Sequence, residues 1–117
     1  IDERVDIIKN SLFKDLKFNK KKIFVIPFNT LTIKLCNRYK ARVIIRGLRA
    51  VSDFEYEFQL AGMNKKLNEK IETIFMMSDV ENQIISSKFV KEIARLDGQI
   101  NKFLTKSTVK RLKDKLE

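Results

Sequence analysis

Two arginines three positions apart, Arg46 and Arg49, lie on either side of a Gly-Leu pair immediately after an apolar run. Arginine presents a planar fork of N–H donors that matches phosphate oxygens, and a helix N-terminus offers unpaired backbone N–H groups to the same anions. Ser52 follows, and Glu55 comes three residues later, which is the spacing of a capping box at a helix start. The segment therefore predicts a strand, a tight turn and a helix capped by Ser52, which together bind a phosphorylated ligand.

The same arginines have a simpler explanation that needs no ligand. Salt bridges with Asp53 or Glu57 would account for both Arg46 and Arg49. Glu57 lies two residues beyond Glu55 and points to a different side of the predicted helix, where it is free to accept hydrogen bonds from ribose hydroxyls. Solvent exposure is the alternative for this carboxylate, so ligand binding and ion pairing both remain open here.

A second helix start rich in hydroxyl groups occurs at Ser86 and Ser87. Apolar residues at helical spacing follow this pair, so either serine is predicted to be the N-cap. Anion binding would be an added use of the same helix end.

Strands alternate with helices along the chain, which implies right-handed crossovers and a parallel sheet. In such sheets ligands bind beyond the carboxyl ends of the strands. Residues 13–22 are expected to form a lysine-rich loop, and Asn29 or Thr30 is expected to cap the second helix. The predicted helices cover residues 2–12, 30–40, 52–67, 86–98 and 106–116, the predicted strands cover 23–26, 42–46 and 72–77, and the ligand-facing segments are 27–32, 46–52 and 78–87.

Composition limits the classes of function that remain. The chain has 117 residues, enough for one domain, and its net charge of +10 favours an anionic partner such as a nucleotide, a nucleic acid or an acidic lipid. It contains no histidine, which excludes an imidazole base or a histidine metal site within this chain. The single cysteine, Cys36, excludes an internal disulfide and fits a reducing compartment.

Two kinds of partner are disfavoured by the residue pattern. No apolar stretch approaches the length needed to span a membrane, so we predict no membrane partner and a cytoplasmic location. The lysines are scattered, and no basic stripe with interleaved aromatics is apparent. A basic nucleic-acid-binding domain is therefore kept only as an alternative, and we predict no nucleic-acid partner.

Several ordered segments resemble bacterial phosphopantetheine adenylyltransferases. They are IRGLRAVSDFEYEFQ at 45–59, AGMN at 61–64, ISS at 85–87 and VKEIA at 90–94, and the likeness runs from Glu3 to near the C-terminus. The resemblance implies a Rossmann-like nucleotidyltransferase of α/β class, with a parallel sheet flanked by helices. It also implies transfer of the adenylyl group of ATP to 4′-phosphopantetheine, giving dephospho-coenzyme A and pyrophosphate, with Mg²⁺ bound through the ATP phosphates and a homo-hexameric assembly. Coenzyme A and dephospho-coenzyme A become further expected ligands.

The resemblance also assigns roles to individual residues, with Arg46 and Arg49 as the catalytic cations and no residue as a metal ligand. Phosphopantetheine is expected to contact Thr32 and Arg46, with Leu60, Met63 and Asn64 lining the pocket of its arm. ATP is expected to contact Gly47, Leu48, Arg49, Glu57, Asn82, Gln83, Ile84, Ile85, Ser86, Ser87 and Lys88. At Asn82 and Lys88 this chain differs from the residue types that the family usually has at the matching positions.

The chain departs from the family at its beginning. The family's opening strand carries a Thr/His-x-Gly-His motif that touches the ATP phosphates, and a lysine follows on the next loop; neither is found here. By resemblance the first two strands are absent, so residues 1–117 form a single incomplete nucleotidyltransferase domain that closes with a C-terminal helix at 104–117. We expect this chain alone to be inactive, and a catalytically incomplete nucleotide- and coenzyme A-binding module is the alternative. The family's strand order of 3-2-1-4-5 predicts that 23–26 is an outer strand with no hydrogen bonds to 43–45.

Overall fold

The computed structural model describes residues 1–116, with the side chain of Ser52 outside the description. The chain folds as two compact units: a central unit, Phe28–Ile84, and a terminal unit made of Ile1–Pro27 and the described residues from Ile85 onward. The expectation of one domain over the whole chain stays a prediction. The helices are α1 (Asp2–Asn10), α2 (Thr32–Tyr39), α3 (Val51–Leu67), α4 (Val80–Gln83), α5 (Ser87–Arg95) and α6 (Lys106–Leu116), the strands are β1 (Val43–Leu48) and β2 (Glu72–Met77), and a π-helical segment covers Ser11–Asp15.

Two parallel strands and the helix that connects them form the frame of the central unit. Strands β1 and β2 run in register from Val43 opposite Glu72 to Leu48 opposite Met77. The seventeen-residue helix α3 makes the crossover between them and contacts both strands. The predicted α/β class with a parallel sheet flanked by helices is therefore confirmed, and β2 has the predicted bounds.

The start of α3 differs from the prediction. The helix begins at Val51 with Ala50 as its N-cap, so the assignment of the N-cap to Ser52 is wrong. Ala50 is extended, and its carbonyl accepts the first helical hydrogen bond from the N–H of Phe54 at 3.2 Å. The Asp53 carboxylate accepts the backbone N–H of Arg49 at 3.3 Å, which satisfies a donor ahead of the helix without a serine cap. The predicted capping box involves the Ser52 side chain, which lies outside the described residues.

The core of the central unit is small. Ile33 and Cys36 of α2 pack with Ile71, and the half-buried Ala41 and Ile44 complete the cluster. Helix α2 begins after Leu31 and has no side-chain cap, so the predicted caps Asn29 and Thr30 are wrong. Cys36 is buried and takes the place of a small apolar residue in this cluster.

The apolar run at 23–26 is not a strand, which corrects the predicted outer strand. A strand needs a neighbour to pair its backbone groups, and within residues 1–116 the sheet contains only β1 and β2. Residues 23–26 therefore form no ladder with 43–45, as expected, but they form none with any other described segment either.

Helices α1, α5 and α6 make up the terminal unit, together with the π-helical segment. This segment continues α1 through Asp15, so the predicted loop at 13–22 begins later than expected. Helix α5 begins at Ser87, and the Ser86 hydroxyl accepts the N–H of Phe89 at 3.3 Å, which confirms the predicted cap. The last helix, Lys106–Leu116, has the bounds predicted from its periodicity, and it begins two residues later than the C-terminal helix at 104–117 that the resemblance implied; residue 117 lies outside the described residues. Over residues 1–116 every helix is too short or too polar to cross a membrane.

Candidate functional site

The guanidinium of Arg46 is held by the carboxylate of Glu57 through two parallel hydrogen bonds. Arg46 Nε donates to Glu57 Oε2 at 2.7 Å, and Nη2 donates to Oε1 at 2.5 Å. Arg46 comes from β1 and Glu57 from the second turn of α3, so a strand and a helix fix the pair. Such bidentate charge-assisted pairs are stronger and more directional than single hydrogen bonds. The arrangement fixes one cation near the carboxyl end of β1.

Burial of this pair is uneven, and the unevenness shows which side faces outward. The Glu57 residue is only 8% exposed, whereas the Arg46 side chain is 44% exposed. The hydrogen bonds from Arg46 lower the pKa of Glu57, and those to Glu57 raise the pKa of Arg46. Both groups therefore stay charged near neutral pH, with the carboxylate on the inside and the guanidinium on the outside.

The pairing shows that the Glu57 carboxylate already has a partner, which corrects the expectation that it is free. Its contact with ATP stays a prediction. Alternate residues of a strand share a face, so Arg46 lies on the same face as the buried Leu48 and the half-buried Ile44. This is the face against which α3 packs, as the edge-to-face contact between Phe54 and Phe75 of β2 shows. Arg46 therefore meets α3, and the ion pair with Glu57 that the sequence offered as an alternative is formed.

The second arginine lies in the connection between β1 and α3. Arg49 Nε donates to Asp53 Oδ2 at 3.1 Å, which ties the arginine to the first turn of α3. The two side chains are 48% and 29% exposed. An exposed i,i+4 pair of this kind adds little stability. The half-exposed Arg49 therefore lies at the same end of the sheet as Arg46.

Gly47 and Leu48 are the last two residues of β1, which ends two residues later than the predicted strand at 42–46. A Cβ added to Gly47 would meet no atom within 4 Å, and the glycine has no positive φ angle. The space beside Gly47 is therefore open to a ligand. The Leu48 side chain is buried, and its carbonyl oxygen accepts hydrogen bonds from the N–H and the hydroxyl of Ser78 at 2.9 and 3.2 Å.

Ser78 begins the predicted ligand-facing segment 78–87 but was given no role of its own, and it connects the carboxyl ends of both strands. Its own carbonyl accepts a hydrogen bond from Gln83 Nε2 at 3.2 Å, which ties α4 to β2. A hydroxyl residue directly after an apolar strand was the available signal. Asn82 and Gln83 therefore lie on a short helix anchored at this edge, and Ile84 follows it, 78% exposed.

The residues predicted to line the pantetheine pocket come from α2 and the later turns of α3. Thr32 is the first residue of α2 and is half-buried. Leu60 is half-buried and Met63 is 63% exposed, whereas Asn64 is 8% exposed. Among the described residues, no hydrogen bond to the Asn64 side-chain amide is seen. Every fully buried side-chain nitrogen or oxygen atom of these residues has a partner, so the unpaired amide of Asn64 must reach the solvent. The amide is thus a recessed polar group with capacity left for a ligand.

The remaining predicted ATP contacts belong to the terminal unit. Ile85 and Ser86 lead into α5, and Ser87 and Lys88 are its first two residues. The Ser86 cap leaves other N–H groups of the first helical turn unpaired. Ser86 and Ser87 line a cleft of about 480 Å³ within this unit. Its charged lining residues are Glu3, Arg4, Lys91, Arg111 and Lys115. Cations outnumber carboxylates there, and Glu3 is already paired with Lys115 at 2.8 Å.

Residues 1–116 contain no group of three His, Cys, Asp or Glu side chains placed to hold a metal ion. The cationic groups of the central unit can bind and align phosphates, and they can neutralise charge that develops on phosphoryl oxygens.

Comparison with known proteins agrees with this chemistry. Residues 3–93 match the model of the cytidylyltransferase-like family. The chain is 72% identical to the phosphopantetheine adenylyltransferase of Pelagibacter ubique (strain HTCC1062), over 98% of its own length and 70% of that protein. It is 48% identical to the enzyme of the same name from Acidiphilium cryptum (strain JF-5), over 93% of this chain and 64% of the relative. It is 46% identical to the enzyme of the same name from Ruegeria sp. (strain TM1040), over 99% of this chain and 70% of the relative. The chain thus spans about two thirds of the length of these relatives.

Proposed function

The chain belongs to the phosphopantetheine adenylyltransferases of the cytidylyltransferase-like family, and on that premise we propose that it serves adenylyl transfer from ATP to 4′-phosphopantetheine in coenzyme A biosynthesis. The products are dephospho-coenzyme A and pyrophosphate. The observation that carries the proposal is the Arg46 guanidinium, fixed by Glu57 at the carboxyl end of β1 with its outer edge exposed.

The reaction is an in-line displacement at phosphorus and needs no covalent enzyme intermediate. A phosphate oxygen of phosphopantetheine forms a bond to the α-phosphorus of ATP, the bond from that phosphorus to the bridging oxygen breaks, and pyrophosphate leaves with the electron pair. The protein has to align two anionic substrates and stabilise the growing charge. Arg46 is assigned to the phosphate of phosphopantetheine and Arg49 to the ATP phosphates, where their positive charges oppose repulsion between the substrates.

The rest of the phosphopantetheine site consists of groups that suit an uncharged, amide-bearing arm. Asn64 is recessed and has an amide with hydrogen-bonding capacity to spare, so it can pair with an amide of the arm. Leu60 and Met63 offer apolar surface on the same helix, and Met63 suits the thiol end because its thioether is soft and adaptable. Thr32 is assigned a backbone contact at the start of α2.

In the central unit, ATP contacts are assigned to the open space beside Gly47, to the backbone of Leu48, to Arg49 and to residues 82–84. In the terminal unit, residues 85–88 at the start of α5 are assigned to ATP from the family resemblance alone. Capping by Ser86 is compatible with anion binding, because it uses only one of the unpaired N–H groups of the first turn.

Magnesium, assembly and location complete the proposal. The described residues contain no cluster that could cage a metal, and Mg²⁺ is commonly held by substrate phosphates and water, so we assign Mg²⁺ to the phosphates of ATP. Its chemistry there would be charge neutralisation. A homo-hexamer and a cytoplasmic location are proposed from the family resemblance.

A second candidate function is binding without turnover. It is favoured by one observation, the absence of histidine from a chain whose family uses histidine at the ATP phosphates. A chain of this composition would bind nucleotide and phosphopantetheine through the groups above, yet it would transfer the adenylyl group slowly or not at all.

The experiment that tests these functions measures binding and turnover separately on the full chain. Calorimetric titration with ATP and with 4′-phosphopantetheine measures binding, and release of pyrophosphate from the mixture measures turnover. Binding with pyrophosphate release supports the transferase, and binding without release supports the module. If neither ligand binds while an oligonucleotide binds with steep salt dependence, both proposals fail in favour of a basic nucleic-acid-binding domain.

A further inference from the structure

We propose that the cleft between α1, α5 and α6 of the terminal unit binds a medium-chain fatty carboxylate, with the acyl chain on its apolar floor and the head group among the cations at its rim. The inference does not depend on the proposed function and concerns a different ligand. Ser86 and Ser87, which are assigned to ATP, form one edge of this cleft. Most of its lining comes from α1 and α6, which have no assigned role.

The floor of the cleft is apolar. Ile7 of α1, Val90 of α5 and Leu112 of α6 line it, and Leu104 joins them from just ahead of α6. Val90 is buried and the other three are half-buried. The volume of about 480 Å³ lies in the range of about 300–1,000 Å³ that is usual for small-molecule sites. An apolar chain placed there leaves water, which favours binding in proportion to the area buried.

Cations without ion pairs surround this floor. Arg4, Lys91 and Arg111 line the cleft, and over residues 1–116 their side chains make no hydrogen bond or salt bridge. Lys115 lines it too and pairs with Glu3, the one carboxylate among the described lining residues. The positive charge of the rim therefore exceeds its negative charge, which favours an anionic head group.

Glu3 shows that these surroundings stabilise a carboxylate. Its Oε2 accepts a hydrogen bond from Lys115 Nζ at 2.8 Å, which joins α1 to α6. This hydrogen bond and the charge of Arg111 lower the pKa of Glu3. Arg111 lies one helical turn before Lys115, and its guanidinium matches the two oxygens of a further carboxylate. A head group with a single charge also meets less repulsion from Glu3 than a phosphate would.

The test separates the acyl chain from the head group, and it uses the full chain. Calorimetric titrations with hexanoate, octanoate and decanoate below their micellar concentrations measure the dependence on chain length, and octanol is the uncharged counterpart of octanoate. Arg111→Gln removes one cation of the rim. Lys110→Gln is the matched control, because Lys110 is an exposed cation on the same helix and is not among the described lining residues of the cleft. Circular dichroism reports whether each variant is folded.

Both parts of the ligand should contribute to affinity. Each added methylene group should tighten binding about fourfold, because it is removed from water on the apolar floor. Arg111→Gln should weaken octanoate binding about fivefold and leave octanol binding unchanged, since only the head group meets the guanidinium. Lys110→Gln should change neither dissociation constant.

Four results would overturn the inference. Affinity that is independent of chain length would mean that the acids bind only through the net charge of the protein. Equal affinity for octanoate and octanol would mean that the cations do not recognise the head group. Equal weakening by Arg111→Gln and Lys110→Gln would place the ligand outside the cleft. If no acid binds while the chain sediments as a dimer that Arg111→Gln dissociates, a second copy covers the cleft instead. None of these results affects the proposed function, which depends on Arg46 and Arg49 of the central unit.

Discussion

Asp15 of the π-helical segment caps α6 by accepting a hydrogen bond from the backbone N–H of Ser107 at 2.8 Å, across 92 positions of sequence. Next to it, the Ser11 hydroxyl contacts those of Thr105 and Thr108 at 2.7 and 3.1 Å. A carboxylate suits this position because it satisfies an unpaired N–H and opposes the positive end of the helix dipole. The end of the first helical segment is thus tied to the start of the last.

This relationship predicts the effect of Asp15→Ala. The variant should lower the free energy of unfolding measured by urea, because α6 loses its cap. Asp6→Ala is the control, since Asp6 is an exposed carboxylate on α1. The hydrogen bond from Ser107 lowers the pKa of Asp15, so its stabilising effect is complete above its ordinary pKa of 3.8 and fades as pH falls through the lower folded value. If Asp15→Ala and Asp6→Ala lower the free energy of unfolding equally at neutral pH, Asp15 does not stabilise α6 as its cap.

The adjacent serines at the start of α5 should differ in their contribution to stability. Ser86→Ala removes the hydroxyl that accepts the N–H of Phe89 and should cost about 1 kcal/mol of unfolding free energy. Ser87→Ala changes an exposed hydroxyl at the first helical position and should change stability by less than about 0.5 kcal/mol. Denaturant unfolding of both variants provides the comparison. A larger loss of stability for Ser87→Ala would show that Ser86 is not the residue that caps the helix.

The open space beside Gly47 predicts a separation of stability from ligand binding. A methyl group added by Gly47→Ala meets no atom within 4 Å, so the fold should be unchanged or up to about 1 kcal/mol more stable. The same methyl group should obstruct ATP and weaken its binding about tenfold, which is about 1.4 kcal/mol.

Gly62→Ala is the matched control for this glycine. Gly62 also has open space around its Cβ position, but it lies inside α3, where alanine favours the helix by about 1 kcal/mol. This variant should raise the melting temperature without affecting ATP affinity. If Gly47→Ala binds ATP as tightly as Gly62→Ala does, the assignment of the nucleotide to this space is wrong.

Acid should weaken the central unit through Glu57. Arg46 lowers the folded pKa of Glu57 below its ordinary value of 4.5, so the unfolded chain takes up the proton first as pH falls. The stability that the pair contributes is therefore complete above pH 4.5 and is lost progressively below it. Glu57→Gln should cost about 1 kcal/mol at neutral pH, a modest value because Arg46 stays half-exposed and hydrated.

Unfolding by urea as a function of pH measures this dependence. The difference in unfolding free energy between wild type and Glu57→Gln should shrink as pH falls below 4.5. A difference that stays constant through this range would show that the carboxylate charge does not contribute.

Local sequence was sufficient to place three of the elements. Strand β2 at Glu72–Met77, the helix after Ser86 and the last helix at Lys106–Leu116 all have the predicted positions. Each combines an apolar pattern of the right period with a nearby start or stop signal. The types and spacing of Arg46 and Arg49 also predicted a candidate site there, and that assignment stays a prediction.

Two predictions failed because of contacts that the residue pattern does not show. The run at 23–26 has the composition of a strand, but a strand exists only if another supplies hydrogen bonds, and β1 pairs with β2 within the described chain. Ser52 has the chemistry of an N-cap, yet contacts of Arg49 with Asp53 let α3 begin at Val51. In the first case the missing partner is distant in the sequence, and in the second a local ion pair accompanies a helix start one residue before Ser52.

By itself the sequence determined the α/β class, the family, the excess of positive charge and the pair of arginines at the end of β1, because these follow from residue types and short-range periodicity. Only the tertiary structure decided which groups of that region point outward. It buried the Glu57 carboxylate behind Arg46, left the outer edge of the guanidinium exposed and opened the space beside Gly47. The physical reason is that such orientations depend on how α3 packs against the sheet, and no property of a single segment specifies that packing.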